Sequence, residues 1–291
     1  MKQQKQAYVY ALLAILCWST IGTAFKLTLH FIWFEHLLLI SSFVAIVVLF
    51  LIMLGGNKLK ILNKLAFHDI LYSAFLGFIN PFLYYMVLLK AYDLLPAQEA
   101  GTLNYFWPLV LVLISIPLLH QRIRFFSVVA ILISFFGILM ISTHGHITGF
   151  HFSNPLGVVL ALGSAVLWAF YWIFNTKDKM EAVTRLFLNF CFGFIYILIT
   201  VLFLRPITMP AWQGLLGSAY IGVFEMGITF VFWMMALKLS KTTALVSNLI
   251  YLSPFISLIL IHFLVGETIF ISTIFGLVLI VSGILIQQKV R

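Results

Sequence analysis

Residues 72–81, YSAFLGFINP, recur in altered form at residues 217–226, GSAYIGVFEM. The two stretches share small residues at three positions, which are Ser73, Ala74 and Gly77 in the first and Ser218, Ala219 and Gly222 in the second. Later matches pair Ala91 with Ala236, Tyr105 with Tyr251, Pro108 with Pro254 and Gly137 with Gly283. A weak internal repeat in a very apolar chain is typical of membrane transporters.

The composition predicts a membrane protein. Hydrophobic residues make up 63% of the 291 residues and charged residues 9%, whereas a soluble domain carries about 25% charged residues. A water-soluble fold would leave much of this apolar surface exposed, so we expect the surrounding solvent to be lipid. Both cysteines, Cys17 and Cys191, lie inside apolar runs and are expected to be packing residues.

Ten apolar runs are long enough to span a bilayer, which takes about 20 residues in an α-helix. The runs are continuously apolar rather than alternating, which favours helices over a β-barrel. We therefore predict an all-α integral membrane fold with ten transmembrane helices. The predicted spans are residues 8–26, 33–54, 68–90, 97–117, 124–141, 155–174, 183–204, 214–237, 243–263 and 270–287.

Lysine and arginine residues predict the orientation of these spans. With the N-terminus in the cytoplasm, 14 of the 17 cations fall on the cytoplasmic side, and only Lys26, Lys90 and Arg205 fall outside. This bias accounts for the net charge of +9, so we expect no nucleic-acid partner. The chain is predicted to be a multi-pass protein of the cell (inner) membrane with both termini in the cytoplasm.

Five spans in each half make two repeats of opposite orientation, residues 1–146 and 147–291. Such an inverted repeat allows two halves to rock about a central site. The join between the halves carries His144, His146 and His151. These histidines lack a fixed helical spacing and a nearby Cys or carboxylate, so we predict no metal site.

Glu225 is the most informative polar residue inside a span, because it lies near the middle of the eighth. A carboxylate at that depth is costly unless it is paired, hydrated or protonated. We expect Glu225 to face a central water-filled cavity, where it binds a substrate amine or carries a coupling proton. The alternative is a neutral glutamic acid that forms a hydrogen bond between helices.

The repeat aligns Asn80 with Glu225. Tyr84 follows Asn80 by one turn, and Thr229 and Trp233 follow Glu225 at four-residue steps, so each helix is predicted to carry a polar and aromatic stripe on one face. The alternative is ordinary hydrogen bonding between helices, which is common for Asn and Thr in membranes.

The fourth and ninth spans form a second matched pair. Residues 104–108, NYFWP, include Asn104 and Trp107, and residues 248–254, NLIYLSP, include Asn248 and Tyr251. A proline inside a helix usually kinks the axis. Matched kinks are expected either to line a cavity or to form gates, unless they only reflect the higher frequency of proline in membrane helices.

Trp18 and Trp168 lie well inside the first and sixth spans, away from the interfacial belt where tryptophan is usual. Their rings are expected either to stack on a ligand or to pack in the core. Polar residues near span ends are expected to be structural. Residues 98–99, QE, and 267–268, ET, suit the helix N-termini of the fourth and tenth spans.

These features resemble the drug/metabolite transporter superfamily, in particular its EamA-type ten-helix members. The resemblance covers nearly the whole chain and includes Ala91 and Ala236 at the ends of the third and eighth spans, and Glu267 before the last. Residues 104–109, NYFWPL, resemble the Asn-Tyr-x-Trp-Pro-Leu pattern of the aromatic amino acid exporter branch. Residues 120–122, HQR, depart from the Gly-Glu that is usual there.

The resemblance implies a central cavity lined by the first, third, fourth, sixth, eighth and ninth helices, and metabolite export or exchange by alternating access. We therefore predict a secondary active transporter of small organic solutes, with amino acids or related metabolites as the expected substrates. The predicted substrate-binding residues are Asn80, Tyr84, Asn104, Trp107, Glu225, Trp233, Asn248 and Tyr251, with Trp18 and Trp168 as walls of the site.

Other classes fit the sequence less well. A transporter of nucleosides, nucleotide derivatives or cationic drug-like compounds is the alternative. A membrane enzyme would need paired carboxylates, a nucleophile with its base, or a metal cluster at membrane depth, and the sequence has none of these. No Walker motif occurs, so substrate gradients or protons are the expected energy source. We predict no cofactor, and a monomer or weak homodimer with substrate, lipid and protons as partners.

Overall fold

The computed structural model describes residues 2–107, 125–145, 154–204, 209–240 and 248–289, together with residues 110, 114 and 206. Within these ranges the chain forms helices and turns without a strand. In this described part of the chain, six helices are long and apolar enough to cross a membrane, and three shorter apolar helices accompany them. The predicted all-α membrane fold is confirmed, whereas the count of ten spans stays a prediction.

The helices are numbered in chain order. The first five are α1 (Lys2–Leu29), α2 (Phe34–Gly55), α3 (Phe67–Leu94), α4 (Ala97–Asn104) and α5 (Phe125–Ser142). The next two are α6 (Pro155–Lys177) and α7 (Ala182–Leu204). The last are α8 (Trp212–Ile221, Gly222–Gly227 and Ile228–Leu239), α9 (Ser253–Val265) and α10 (Ile271–Lys289). The predicted spans 97–117 and 243–263 run partly outside the described residues.

Helix surfaces carry large apolar side chains that would be unusual on a soluble protein. Phe203 of α7 is 86% exposed and Leu51 of α2 is 57% exposed. Side chains of this kind lose nothing when the solvent is hydrocarbon, and the helical backbone satisfies its own hydrogen bonds there. The apolar exterior therefore fits a chain that lies in lipid.

The helices pack into two compact units. The first unit comprises residues 1–86 and 177–260, and the second comprises residues 87–176 and 261–291. Each unit thus draws on both halves of the sequence. This is a division by packing, and the repeat boundary between residues 146 and 147 stays a prediction.

Close helix packing in the first unit depends on the glycines of the matched stretches. A Cβ on Gly222 of α8 would lie 2.5 Å from the backbone oxygen of Ser41 in α2. A Cβ on Gly77 of α3 would overlap the backbone oxygen of Asn189 in α7. Each Cβ would also contact a residue three positions further along, which is Val44 for Gly222 and Phe192 for Gly77, although the nitrogen of Gly193 lies nearer to Gly77 than Phe192 does. The repeat-related glycines therefore pack against corresponding sites on α2 and α7.

The second unit is built around a similar approach of α5 and α10. A Cβ on Gly276 would lie 2.6 Å from the backbone oxygen of Gly137. Small residues let helix backbones come together where lipid supplies no hydrophobic driving force between helices. The repeated glycine at position 137 thus has a packing role.

The N-termini of α4 and α10 are capped by each other's helix. The Glu267 carboxylate accepts hydrogen bonds from the backbone N–H groups of Ala97 at 2.8 Å and Gln98 at 3.2 Å. The Gln98 side-chain oxygen accepts the backbone N–H of Phe270 at 3.2 Å. From the sequence we expected residues 98–99 to cap the fourth span and residues 267–268 to cap the tenth, and this assignment of caps to helices is wrong. Glu99 instead pairs with His144.

A buried charge cluster lies where α3 and α7 begin. Arg185, which is 3% exposed, donates to the Ser73 hydroxyl at 2.6 Å and to an Asp178 oxygen at 3.1 Å. Glu181 accepts a hydrogen bond from the Lys58 ammonium at 2.8 Å. From the sequence, Arg185 only indicated the orientation of the spans, because its position does not reveal which side chains of α3 it contacts.

Replacing Gly222 by Ala is expected to lower the free energy of unfolding by about 1–3 kcal/mol, because the new methyl group would overlap α2. Gly163→Ala is the matched control, since nothing lies within 4 Å of a Cβ at that position. Thermal unfolding of both variants in detergent compares them. Equal melting temperatures would contradict the close approach of α8 and α2.

Glu181 gives a pH-dependent contribution to stability. Burial alone would raise its pKa, but hydrogen bonds from Lys58 and Thr184 hold the pKa below its usual value. The contribution is therefore present above the unfolded pKa of about 4.3 and is lost as the pH falls through the lower folded pKa. We expect Glu181→Gln to melt below the native protein at pH 6, with this difference shrinking at pH 3. A difference that does not change with pH would contradict the assignment.

Candidate functional site

The carboxyl group of Glu225 is buried within the first unit. It lies in the π-helical segment Gly222–Gly227 of α8 and is 6% exposed. Its Oε1 accepts a hydrogen bond from the Tyr85 hydroxyl of α3 at 2.9 Å, and Trp18 of α1 also interacts with the carboxyl group. Among the described residues, Oε2 has no hydrogen-bond partner. Glu225 thus keeps one acceptor oxygen available.

The helix α3 is interrupted at Asn80. This residue has φ −149° and ψ 123°, and the peptide bond to Pro81 is cis. Because Pro81 lacks a backbone N–H, it cannot continue the helical hydrogen bonds. The Asn80 side chain is fully buried, and neither of its amide atoms has a partner within the described ranges. A second polar group is therefore held in the interior with unused hydrogen-bonding capacity.

Aromatic rings surround the carboxyl group on two sides. Trp18 lies with its ring centroid 5.5 Å from that of Trp233 and 6.3 Å from that of Phe230. On the α3 side, the rings of Tyr84 and Tyr85 meet edge to face at 4.7 Å. The fold thus places Trp18 between the Glu225 carboxyl group and the ring of Trp233, and the binding role of these three residues stays a prediction.

Two of the predicted site residues lie in the second unit with partners of their own. The Asn104 amide donates to the Ser164 hydroxyl at 2.8 Å and so joins α4 to α6. Trp168 is buried and stacks on Tyr171 at 6.0 Å. Trp107 is half-buried. Their roles in binding stay predictions.

Some of the predicted residues lie outside the part of the chain that the structure describes. The side chains of Asn248 and Tyr251 lie there, as do His146, His151 and Pro108. Pro254 lies in the first turn of α9, directly after a 3-10 turn at Asn248–Leu252.

Tyr85 is a partner of the Glu225 carboxyl group that could not be identified from the sequence. A regular helix puts Tyr84 one turn after Asn80, so four-residue steps select Tyr84. Because the backbone at Asn80 is not helical, residues beyond it do not keep that register, and Tyr85 reaches Glu225 instead. Pro81 was the available signal for this interruption.

This arrangement can perform two kinds of chemistry. A carboxylate oxygen that faces aromatic rings can bind an ammonium group, through a charge-assisted hydrogen bond and cation–π attraction. The same carboxyl group can carry a proton. Buried polar groups without a partner in a membrane segment are typical of substrate and proton pathways.

The fold and the site define a multi-pass membrane protein that keeps unpaired polar groups inside its helices, as transporters do. The EamA-like transporter family matches residues 5–143 and 155–287. The chain therefore belongs to the EamA-like transporter family, and the predicted membership in the drug/metabolite transporter superfamily is confirmed.

Relatives and a solved structure agree with this family. An uncharacterized transporter of Clostridium kluyveri is 24% identical, over 98% of this chain and 94% of the relative. The aromatic amino acid exporter YddG of Ancylobacter novellus is 27% identical, over 61% of this chain and 62% of the exporter. A crystal structure with a TM-score of 0.69 covers 98% of this chain and 97% of its own at 23% identity, which shows the fold.

Replacing Tyr85 by Phe is expected to lower the free energy of unfolding by about 1–3 kcal/mol, because Oε1 of the buried carboxyl group then loses the hydroxyl that donates to it. Tyr84→Phe is the matched control, since it removes a neighbouring hydroxyl that does not bind Glu225. The double variant Tyr85→Phe with Glu225→Leu should recover part of the loss. Thermal unfolding in detergent measures all three, and equal losses for the two single variants would contradict the Tyr85–Glu225 bond.

Proposed function

We propose that the protein is a secondary active transporter that exports or exchanges small organic solutes, and that its substrates are amino acids or related metabolites. The family supports the transporter class. The likeness to an aromatic amino acid exporter supports the substrate class. Family membership also argues against an enzyme, since relatives of this chain bear the name transporter.

The observation that carries this proposal is the buried carboxyl group of Glu225, whose Oε2 has no hydrogen-bond partner among the described residues. Trp18 interacts with this carboxyl group, and the ring of Trp233 lies next to that of Trp18. An amino acid carries an ammonium group, from which such an oxygen can accept a hydrogen bond. The indole rings offer flat surfaces for an apolar or aromatic side chain. Asn80 supplies an unused amide donor and acceptor on α3. In the same proposal, Glu225 exchanges its proton when substrate is absent.

Transport by alternating access requires two states that bind substrate differently. The two sequence repeats, inserted in opposite orientations, would supply these states by rocking. The corresponding contacts of Gly77 with α7 and of Gly222 with α2 support a common ancestry of the repeats. The bias of Lys and Arg supports a location in the cell membrane with both termini in the cytoplasm. In this proposal, protons or substrate gradients supply the energy. The working form is a monomer or a weak homodimer.

A cationic drug-like compound is the second candidate substrate. The same carboxylate and rings would bind a cation that lacks a carboxylate of its own. Within the described residues of this unit, the buried cation Arg185 is already paired with Asp178, which leaves anionic substrates such as nucleotide derivatives less favoured.

Glu225→Gln is expected to lower transport of an ammonium-bearing substrate by roughly 10- to 100-fold, because a charge-assisted hydrogen bond is lost. Counterflow in proteoliposomes, with a panel of amino acids and organic cations and with or without a proton gradient, measures this. The pH dependence of transport should disappear in the same variant.

Asp93→Asn is the control for that experiment, since Asp93 is an exposed carboxylate paired with Lys90 at 2.6 Å. It should transport as the native protein does. Unchanged rates and unchanged pH dependence in Glu225→Gln would overturn the role of this residue. Transport of organic cations without any amino acid would replace the leading substrate class with the second.

A further inference from the structure

A polar cleft opens at the ends of α3 and α7, away from Glu225. Its volume is about 540 Å³, and the charged and titratable side chains that line it are Lys64, His68, Asp69, Asp178, Lys179 and Glu181. Helices that span a bilayer begin at its surface, so a cleft at the start of both α3 and α7 lies at the level of the lipid headgroups.

The carboxylates of this cleft already have cationic partners. Asp178 and Asp69 both bind the guanidinium of Arg185. Glu181 binds the Lys58 ammonium at 2.8 Å. One guanidinium serves two carboxylates, so these contacts leave one negative charge of the cleft uncompensated.

The cations of the cleft are placed differently. Lys64 and Lys179 are exposed, and neither forms an ion pair within the part of the chain that the structure describes. His68 is also exposed and stacks on Tyr72 at 6.1 Å. Lys64 and Lys179 outweigh the one negative charge that is left over, so the cleft presents two ammonium groups, an imidazole and a net positive charge, which suit an anion that bears a phosphate.

The surface beside the cleft is apolar. Phe67 is 74% exposed, Leu71 is 54% exposed and Phe75 is 46% exposed, and these residues follow one another at four-residue steps along α3. They form a stripe next to His68 and Tyr72 of the cleft. A stripe of this kind fits a hydrocarbon chain that runs down the helix from a headgroup.

We propose that this cleft binds an anionic phospholipid, with its phosphodiester between Lys64 and Lys179 and an acyl chain along the Phe67–Leu71–Phe75 stripe. Basic pockets at the ends of transmembrane helices bind such headgroups. The apolar stripe distinguishes a lipid from a free phosphate, which has no use for it.

Native mass spectrometry of the purified full chain tests the proposal, with dioleoyl phosphatidylglycerol and dioleoyl phosphatidylcholine added at equal concentration. The native protein should retain phosphatidylglycerol in preference. The double variant K64A/K179A should lower the apparent affinity for phosphatidylglycerol roughly tenfold, with the binding of phosphatidylcholine unchanged. Higher salt should weaken the binding of the anionic lipid only.

Two controls separate charge from fold. K60A removes an exposed cation of the same segment that does not line the cleft, and it should bind as the native protein does. K64R/K179R keeps both charges and should retain the preference. Equal retention of the two lipids by the native protein, or undiminished binding by K64A/K179A, would overturn the proposal. Displacement of the lipid by an equal concentration of inorganic phosphate would assign the cleft to a small free anion instead.

Discussion

Lipid offers no hydrogen bonds and little stabilisation to a charge, and this constraint governs where polar groups lie in the chain. Arg185 meets it with two aspartates and a serine at the start of α7. Glu225 satisfies this constraint only in part. Tyr85 donates a hydrogen bond to Oε1, whereas Oε2 has no hydrogen-bond partner among the described residues. The proposed binding of a substrate amine depends on this oxygen.

The same solvent removes the usual reason for helices to associate, because lipid tails are as apolar as leucine. Close van der Waals packing has to hold the helices together, and glycine permits it. Gly77 and Gly222 bring α3 against α7 and α8 against α2, and Gly137 faces Gly276 in the second unit. Directly after the first two glycines, α3 and α8 leave regular α-helical geometry and present Asn80 and Glu225. In both matched stretches, a tightly packed glycine thus adjoins a segment of irregular backbone.

Sequence reasoning succeeded where the signal was periodic or compositional. It identified the helical membrane fold and the family, and it singled out Glu225, because hydrophobic runs and a carboxylate in an apolar segment are visible without coordinates. It failed where geometry depended on an interruption. The contact of Tyr85 with Glu225 was not foreseen, because a regular helix was assumed through Asn80, and the binding role of Tyr84 stays a prediction. The caps of α4 and α10 were assigned to the wrong helices, since Glu267 and Gln98 are far apart in sequence.

The sequence by itself determined that the chain is a helical membrane protein of a transporter family with one carboxylate at mid-span, because hydropathy and residue identity act locally. Only the tertiary structure decided which partners that carboxylate has. Tyr85 and Trp18 reach Glu225 from two separate helices, and Arg185 reaches Asp69 across another long interval. Such contacts follow from how helices pack, and packing is set by the fit of whole surfaces rather than by any single stretch of residues.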